Sequence, residues 1–330
     1  MSSRSDVVPR AGDPGPPAEP RVVVAALTYR RPDDLAALLP AISSQARSTG
    51  GPVEVLIVDN DPQAGARRQV EDFGGGVRYL HAAAPGIAAA RNAALDAAVD
   101  ADLLVFIDDD ERPVEGWLTL LVATWRRTRA AAVIGPVVST FDEQPSPWVQ
   151  AGRFFSRRRM PTGTQVQVAA TNNLLLDLRV VRGYALRFDE RFGLTGGSDT
   201  LFTRQLYAAG GRMVWCDEAI VTDVVPASRV SREWVMHRAY RSGNSDALTA
   251  VAMASDAGRA AVRLRFLARG AARVVAGAVP GLIGHLTGSL PLAARGSRRR
   301  ARGAGMLAGA LGRAYVEYRR SPSAADEVAR

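Results

Sequence analysis

Short apolar runs alternate with helix-like segments over the first 135 residues of the chain. Runs of four to seven residues, rich in valine, leucine and isoleucine, indicate buried strands. These strands are predicted at 21–27, 53–58, 77–80, 103–107 and 131–134. Apolar positions at helical spacing predict helices over about 33–42, 86–98 and 117–129. Strands that alternate with helices in this way predict an α/β protein with a mainly parallel sheet.

The pattern changes after residue 135. Residues 141–165 are predicted as a loop, and residues 166–176 as strand structure interrupted by Thr171-Asn172-Asn173. A helix is predicted to begin near Leu201 and to end at Gly210-Gly211. Beyond residue 230 the chain is rich in alanine and arginine, which favours helices without further strands. We therefore expect a disordered leader at 1–20, an α/β domain at 21–230 and a helical region at 231–330.

Composition excludes several classes of protein. Hydrophobic residues make up 47% of the chain and charged residues 23%, a balance typical of a globular protein and not of a disordered chain or a disulfide scaffold. With one cysteine, Cys216, the chain has no internal disulfide, and one cysteine with three histidines cannot supply a Cys/His zinc site. We interpret Cys216 as a packing residue.

Positive charge is concentrated in the last third of the chain. Residues 231–330 hold 17 arginines against six acidic residues, whereas the whole chain carries +9. An arginine-rich region next to a nearly neutral body predicts an anionic surface as partner, and nucleic acid and anionic lipid both satisfy that charge. Because the region has no aromatic-interleaved motif and no helix-turn-helix pattern, we expect no nucleic-acid binding.

Residues 274–294 form an uncharged stretch of 21 residues, long enough to span a bilayer. Pro280, Pro291 and several polar residues argue against a span, and arginines flank the stretch on both sides. Such helices fit the plane of an anionic leaflet; the alternative is that they only pack against the α/β domain. With no secretory signal recognisable at the start, we expect a cytoplasmic protein that binds peripherally to the inner face of the cytoplasmic membrane.

Polar clusters follow three of the predicted strands: Thr28-Tyr29-Arg30, Asp59-Asn60-Asp61 and Asp108-Asp109-Asp110. Ligands of open α/β sheets bind at the carboxyl ends of the strands. Carboxylates two residues apart on an extended segment point to the same side and suit a hard divalent cation, so Asp108 and Asp110 are candidate ligands. A solvated acidic turn is the alternative. Asp59 can accept a hydrogen bond from a nucleobase or a ribose hydroxyl.

Two further motifs carry candidate chemistry. Arg91, on the predicted helix after Gly86, can neutralise a diphosphate, or it can be a solvated surface residue. Gly196-Gly197-Ser198-Asp199 opens a predicted helix. Asp199 there can be a general base for a hydroxyl nucleophile or simply a helix cap.

In their order along residues 20–245, these motifs resemble those of the family 2 glycosyltransferases of GT-A fold. The resemblance implies a Rossmann-like, mainly parallel central sheet flanked by helices, here with an arginine-rich helical extension. It divides the α/β domain into a nucleotide-binding half at about 21–135 and an acceptor half at about 136–230. It implies inverting transfer of a sugar from a nucleoside-diphosphate sugar, with UDP favoured. The acceptor would be a hydroxyl on a lipid-linked or cell-surface glycan or on a small-molecule metabolite.

The same resemblance implies roles for individual residues. The residues expected to contact the nucleotide sugar are Thr28, Tyr29, Arg30, Asp59, Asn60, Gly86, Arg91, Asp108 and Asp109. Asp108 and Asp110 are expected to bind Mn²⁺ or Mg²⁺, and Asp199 to act as the catalytic base. The residues expected on the acceptor side are Asn172, Asn173, Gly196, Gly197, Trp234 and His237.

The chain departs from the family pattern at Ser198, which stands where the family usually has a glutamate before the catalytic aspartate. This departure leaves open a degenerate, non-catalytic protein that binds a nucleotide sugar. A nucleotidyltransferase is a second alternative, but it usually has a glycine-rich loop after its first strand, and here Thr28-Tyr29-Arg30-Arg31-Pro32 contains no glycine.

Overall fold

The computed structural model describes residues 19–316. The expected leader lies outside the described residues up to residue 18, and so does the end of the basic region from residue 317 onward. The strands of the described chain are β1 (Val22–Thr28), β2 (Val53–Asp59), β3 (Arg78–His81), β4 (Leu103–Asp108), β5 (Glu111–Pro113), β6 (Ala132–Ile134), β7 (Val137–Phe141), β8 (Gln165–Val166), β9 (Asn173–Asp177), β10 (Met213–Trp215) and β11 (Val221–Val225). The α-helices are α1 (Pro32–Ser48), α2 (Arg67–Phe73), α3 (Ile87–Ala97), α4 (Trp117–Thr128), α5 (Pro147–Gly152), α6 (Leu178–Gly183), α7 (Ser198–Ala208), α8 (Arg232–Ala252), α9 (Arg259–Thr287) and α10 (Leu290–Ala310).

Eight strands form a central sheet in the order β3-β2-β1-β4-β9-β6-β10-β8. The first four of these are mutually parallel, as the sequence predicts for the nucleotide-binding half. β9 runs antiparallel to both of its neighbours, and β8 runs antiparallel to β10. A second sheet has the order β5-β11-β7.

Both faces of the central sheet are covered. On β1, Val22 and Val24 belong to one apolar core, which contains Leu38 of α1 and Trp117 of α4. Val23 belongs to the opposite core, together with the alanines of α3. Because alternate residues of a strand point to opposite faces, burial on both sides requires the continuous apolar runs seen in the sequence.

The second half contains structure that the sequence pattern did not predict. Residues 141–165 include the helix α5, and the short strands β10 and β11 follow α7. β10 has three residues and β11 has five, which is too few for an alternation of apolar and polar positions to be recognised in the sequence. Asn173 does not interrupt a strand, because β9 begins at that residue.

Three helices follow the second sheet. α9 and α10 form an antiparallel hairpin in which glycines of the two helices meet. A methyl group on Gly296 would lie 2.5 Å from the backbone nitrogen of Gly281, and one on Gly303 would lie 2.7 Å from the carbonyl oxygen of Gly270. α10 also packs closely on α8, since a methyl group on Gly243 of α8 would lie 2.0 Å from the carbonyl oxygen of Arg302 of α10.

One helix of the described chain, α9, is long and apolar enough to cross a membrane by its length and composition. Its most apolar window is 22% buried within the protein. The prolines at 280 and 291 do not break this arrangement: Pro280 lies inside α9 and Pro291 is in the first turn of α10.

Candidate active site

The register of the central sheet brings the polar strand ends together. Thr28 at the end of β1 pairs with Asp59 of β2, and the preceding Leu27 pairs with Asp108 of β4. A cleft of about 630 Å³ opens at this edge. The predicted site residues that line it are Thr28, Tyr29, Asn60, Gly86, Arg91, Asp108, Asp109, Asp110, Asn172, Asp199 and Trp234.

The acidic motif is held by arginines and by the end of β1. Asp109 is buried; it accepts hydrogen bonds from the Thr28 hydroxyl at 2.9 Å and from Arg31 Nη1 at 2.8 Å. Oδ2 of Asp110 accepts from Arg31 at 2.9 Å and from Arg229 at 3.0 Å. The motif is therefore a fixed part of the cleft and not a solvated turn.

Burial opposes ionisation of these carboxyl groups. It raises the pKa of Asp108 to about 7, with repulsion from Asp110 as the next cause, and it raises the pKa of Asp109 to about 6. Burial and the charge of Asp108 also raise the pKa of Glu111 well above its usual value. The positive charge of a divalent cation would relieve this repulsion. The carboxyl groups offer oxygen ligands, which hard cations such as Mg²⁺ prefer.

The protein supplies only part of a coordination shell here. Within residues 19–316, no group of three His, Cys, Asp or Glu side chains is arranged to hold a metal ion. One or two carboxylates completed by substrate phosphates is a usual arrangement for Mg²⁺. Asp108 and Asp110 fit that arrangement, provided that a nucleotide brings the remaining oxygens.

Glu111 is a structural member of the site to which the sequence reasoning gave no role. Its buried carboxylate accepts from the backbone N–H of Asp108 at 3.1 Å and from Asn172 Nδ2 at 2.8 Å. Glu111 therefore connects the acidic motif to the segment that precedes β9. Its position directly after the three aspartates was the available signal.

The expected contact from Asp59 to the nucleoside does not fit its position. The residue is 0% exposed, and its carboxylate accepts from the backbone N–H groups of Asp61 and Ala66 and from the Tyr79 hydroxyl. These hydrogen bonds stabilise the loop after β2, whereas the adjacent Asn60 lines the cleft. The Asn60 Nδ2 donates to the backbone carbonyls of Ala82 at 2.6 Å and Ala84 at 2.7 Å, so Asn60 holds the segment after β3 at the border of the cleft.

Arg30 also lies away from the lining. Its Nε donates to Asp61 Oδ1 at 3.1 Å, and its guanidinium lies 5.3 Å from the Tyr29 ring centroid. The residue has a φ of 55°, a left-handed conformation that turns the chain after β1. Tyr29 and Arg31, on either side, line the cleft instead.

Arg91 is a buried residue and not the solvated surface arginine of the alternative interpretation. Its Nη1 donates to Ser198 Oγ at 2.8 Å, and its guanidinium lies 5.6 Å from the Phe188 ring centroid. Ser198, at the position of the family glutamate, is fully buried and binds Arg91. This contact ties α3 to the start of α7.

Asp199 lies in the first turn of α7 and lines the cleft. The capping position belongs to Gly197, whose φ of 95° suits glycine. Asp199 Oδ1 accepts from the backbone N–H of Thr200 at 2.7 Å, and its carboxylate remains a candidate general base in the same cleft as the acidic motif.

The remaining acceptor-side residues divide between cleft and scaffold. Asn172 and Trp234 line the cleft, whereas Asn173 is buried: it accepts from Trp117 Nε1 at 2.9 Å and donates to two backbone carbonyls. Gly196 and Gly197 shape the turn before α7 without lining the cleft. His237 is exposed on α8 and likewise does not line it.

Arginines from distant parts of the chain complete the cleft, and the sequence reasoning gave no role to three of them: Arg31, Arg157 and Arg229. The lining includes Arg31, Arg157, Arg229, Arg238 and Arg241. Burial, followed by repulsion from Arg157 and Arg241, lowers the pKa of Arg238 to about 10. Arginines packed this closely are typical of an anion-binding site.

Comparison with known proteins identifies the family. The Glycosyl transferase family 2 model matches residues 23–183. The chain is 34% identical over 226 residues to the Succinoglycan biosynthesis protein ExoM of Rhizobium meliloti (strain 1021), covering 67% of this chain and 72% of that protein. The chain is a family 2 glycosyltransferase. Membership sets aside the nucleotidyltransferase alternative.

Solved structures confirm the fold of this glycosyltransferase. Residues 1–349 of S. aureus TarS share it with a TM-score of 0.51 at 14% identity, over 85% of this chain and 90% of that one. The complex of the same TarS fragment with UDP gives a TM-score of 0.51 at 15% identity, with the same coverage. The predicted α/β architecture of GT-A type, with a helical extension at the carboxyl end, is therefore confirmed.

Proposed function

We propose that this glycosyltransferase transfers a sugar from a nucleoside-diphosphate sugar, with UDP favoured, to an acceptor hydroxyl with inversion. The observation that carries the proposal is the convergence of Asp108, Asp110 and Asp199 with a group of arginines in one cleft. Carboxylates and cations in one cleft suit a reaction in which a proton leaves one reactant and a diphosphate departs from the other. The fold shared with a TarS fragment solved with UDP supports a UDP donor.

Asp199 is the residue we assign to the acceptor. Its carboxylate takes the proton from the attacking hydroxyl as that oxygen bonds to the anomeric carbon and the sugar's bond to the diphosphate breaks. Inversion needs no covalent intermediate, which agrees with Cys216 being buried in the core, away from the cleft. Ser198, which replaces the family glutamate, accepts a hydrogen bond from Arg91, and the proposed base Asp199 follows it directly.

The departing diphosphate is the group we assign to the arginines. Arg229, Arg238 and Arg241 line the same cleft as the acidic motif and can stabilise the negative charge that develops on the leaving group. Asp108 and Asp110 are the residues we expect to hold Mn²⁺ or Mg²⁺ when the donor is bound. The cation would neutralise charge on the diphosphate oxygens.

The acceptor we propose is a glycan, either lipid-linked or at the cell surface. The similarity to a protein named for succinoglycan biosynthesis supports this class over a small-molecule metabolite. Transfer to an intermediate on the inner face of the cytoplasmic membrane is the cellular setting we propose.

Thermal unfolding with UDP or GDP, with and without Mn²⁺, tests the donor and the metal together. Ligand that binds the native state raises the melting temperature. We expect UDP with Mn²⁺ to give the largest rise. In Asp110→Ala the effect of Mn²⁺ on UDP binding should disappear, because one of the two proposed ligands is gone.

Asp100→Ala is the matched control, since it removes an exposed aspartate in the loop after α3. It should bind UDP and Mn²⁺ as the unchanged protein does. An undiminished Mn²⁺ effect in Asp110→Ala would remove the metal from this motif, and a larger rise with GDP would overturn the UDP preference.

A further inference from the structure

The turn between α9 and α10 exposes a continuous apolar surface. Five large apolar residues of α9 lie on its outer side, three or four positions apart or adjacent, and two more follow the turn. We call this surface the hairpin tip; it comprises Val275, Val279, Leu282, Ile283, Leu286, Leu290 and Leu292. Leu286 is 79% exposed and Leu282 is 61% exposed. Isolated exposed apolar residues are common, but a continuous patch on a soluble protein indicates an interaction surface.

Close helix packing directs these side chains outward. Gly277, Gly281 and Gly284 of α9 face α10, where a methyl group on Gly284 would lie 2.3 Å from the Ala293 nitrogen. With glycine on the inner side, the two backbones approach each other closely. The large side chains of the tip therefore cannot be covered by the partner helix.

Arginines surround the hairpin tip but do not enter it. From residue 274 to residue 294 the chain has no charged side chain. Arg269 and Arg273 precede this stretch, and the exposed Arg295, Arg299 and Arg300 follow it. An apolar end with a surrounding band of arginines matches an anionic bilayer, in which acyl chains lie beneath phosphate groups.

The depth of the uncharged part distinguishes insertion from spanning. Residues 274–287 of α9 would extend about 21 Å, at about 1.5 Å for each helical residue. On the return helix, Arg295 lies only about 8 Å along the axis from Leu290. A hydrocarbon core is about 30 Å thick, so the uncharged part of the hairpin is too short on both sides to cross it. Entry to a depth of about 5–10 Å is typical of interfacial helices.

We propose that the hairpin tip inserts into one leaflet of an anionic membrane, with the flanking arginines at the level of the lipid phosphates. This differs from helices lying flat on the surface, because the folded hairpin meets the bilayer end-on through its turn. The arginine-rich faces then add affinity around the inserted residues.

The hairpin tip is close to one side of the active-site cleft. Ala294 of α10 is buried in a cluster with Val149 and Val235, against which Phe155 and Trp234 pack. The rings of Phe155 and Trp234 stack with centroids 6.1 Å apart, and both residues line the cleft. An inserted tip would therefore hold this aromatic side near the bilayer surface, which, if the proposed function holds, suits an acceptor carried on a lipid.

Flotation of the full chain with vesicles tests the insertion without using activity. The probes are phosphatidylcholine vesicles with and without phosphatidylglycerol, at low and high salt. We expect binding to the vesicles that contain phosphatidylglycerol, weakened by high salt. Leu282→Ser/Leu286→Ser/Leu290→Ser should lower partitioning about tenfold or more, because each change removes apolar area from the inserted surface.

The matched control is Val99→Ser/Leu264→Ser/Leu311→Ser, which alters three exposed apolar residues away from the tip. It should bind vesicles as the unchanged protein does, and both variants should keep their circular dichroism spectrum and melting temperature because the changed side chains are exposed. Arg295→Gln/Arg299→Gln/Arg300→Gln should reduce the preference for phosphatidylglycerol.

Several results would overturn the proposal. These are unchanged partitioning of the tip variant, no binding of the full chain to anionic vesicles at low salt, and resistance of the cellular protein to alkaline extraction, which would indicate a true span. A dimer that becomes a monomer in the tip variant, without vesicle binding, would assign the surface to a second copy. Binding that emerges only after residues 1–18 or 317–330 are removed would assign it to those segments.

Discussion

Asn172 and Asn173 are adjacent in the sequence but face opposite environments. Asn172 reaches Glu111 at the cleft, while Asn173 begins β9 and holds Trp117 and two backbone carbonyls in the core. Asn172 lies in the turn before β9, whereas Asn173 is the first residue of the buried strand. A motif in the sequence therefore indicates the region of a site more reliably than it indicates which residue of a pair reaches the ligand.

The first prediction at the residue scale concerns Asn173. Asn173→Ala should lower the free energy of unfolding by about 3 kcal/mol or more, because each buried group left unpaired costs about 1–3 kcal/mol. Denaturation by urea measures the loss. Asn172→Ala is the control: it removes one hydrogen bond, to Glu111, in place of three, so it should cost less, about 1–3 kcal/mol, and should also lower turnover. Equal losses in the two variants would contradict the assignment.

The second residue-scale prediction concerns the base. Asp199→Asn keeps the size of the side chain but cannot accept the hydroxyl proton, so turnover should fall by about a hundredfold or more. UDP affinity should change little, since the arginines that bind the diphosphate remain. Asp189→Asn is the control, because Asp189 caps a short helical turn away from the cleft. The turnover of this variant should stay within about twofold of that of the unchanged protein. Wild-type turnover in Asp199→Asn would reject the role.

At the scale of elements, glycine determines how closely the carboxyl-terminal helices pack. Gly296 of α10 contacts the backbone of Gly277 and Gly281 on α9, so a side chain there would meet main-chain atoms that cannot rotate away. Glycine in a helix normally costs about 1 kcal/mol relative to alanine. Here the close approach of the backbones offsets that cost.

The element-scale prediction follows from this contact. Gly296→Ala should destabilise the protein by about 1–3 kcal/mol through overpacking, despite the higher helix propensity of alanine. Differential scanning calorimetry should show a lower melting temperature. Gly183→Ala is the control, because a methyl group at the end of α6 meets no atom within 4 Å. It should leave stability unchanged or slightly higher, and a similar rise in Gly296→Ala would refute the packing argument.

At the scale of the whole molecule, the cleft combines side chains that are far apart in the sequence. The family motifs lie at the ends of the central strands, on α3 and at the start of α7, while Trp234, Arg238 and Arg241 come from α8. The helical region expected from residue 231 onward therefore begins with a helix that lines the active site. The division into domains stays a prediction, but α8 contributes to the catalytic cleft.

The prediction at this scale is that donor binding needs α8. Arg238→Gln removes a half-buried cation from the cleft and should weaken UDP binding about tenfold, a change of about 1.4 kcal/mol. Isothermal titration measures it. Arg259→Gln, on the first turn of α9 and away from the cleft lining, is the control and should bind UDP normally. A chain that ends at residue 230 should lose the binding too, provided that circular dichroism shows it folded; retained affinity would place the diphosphate elsewhere.

The sequence by itself determined the parallel half of the sheet, the acidic motif after β4 and the glycine-led start of α7. Each is a local pattern: burial on both faces requires continuous apolar runs, and a polar cluster directly after such a run must lie at the edge of the sheet. These patterns are what allowed the resemblance to the family to be recognised before the fold was known.

Only the tertiary structure decided which side chains reach the cleft. Asp59 is held inside its own loop by hydrogen bonds from Ala66 and Tyr79, and Asn60 borders the cleft while its amide binds the carbonyls of Ala82 and Ala84, which no local pattern shows. The arginines at 157, 229 and 238 meet because separate elements pack around one edge of the sheet. The apolar hairpin tip is exposed for a similar reason, since the glycines that bring α9 against α10 leave its large side chains without a partner in the described chain.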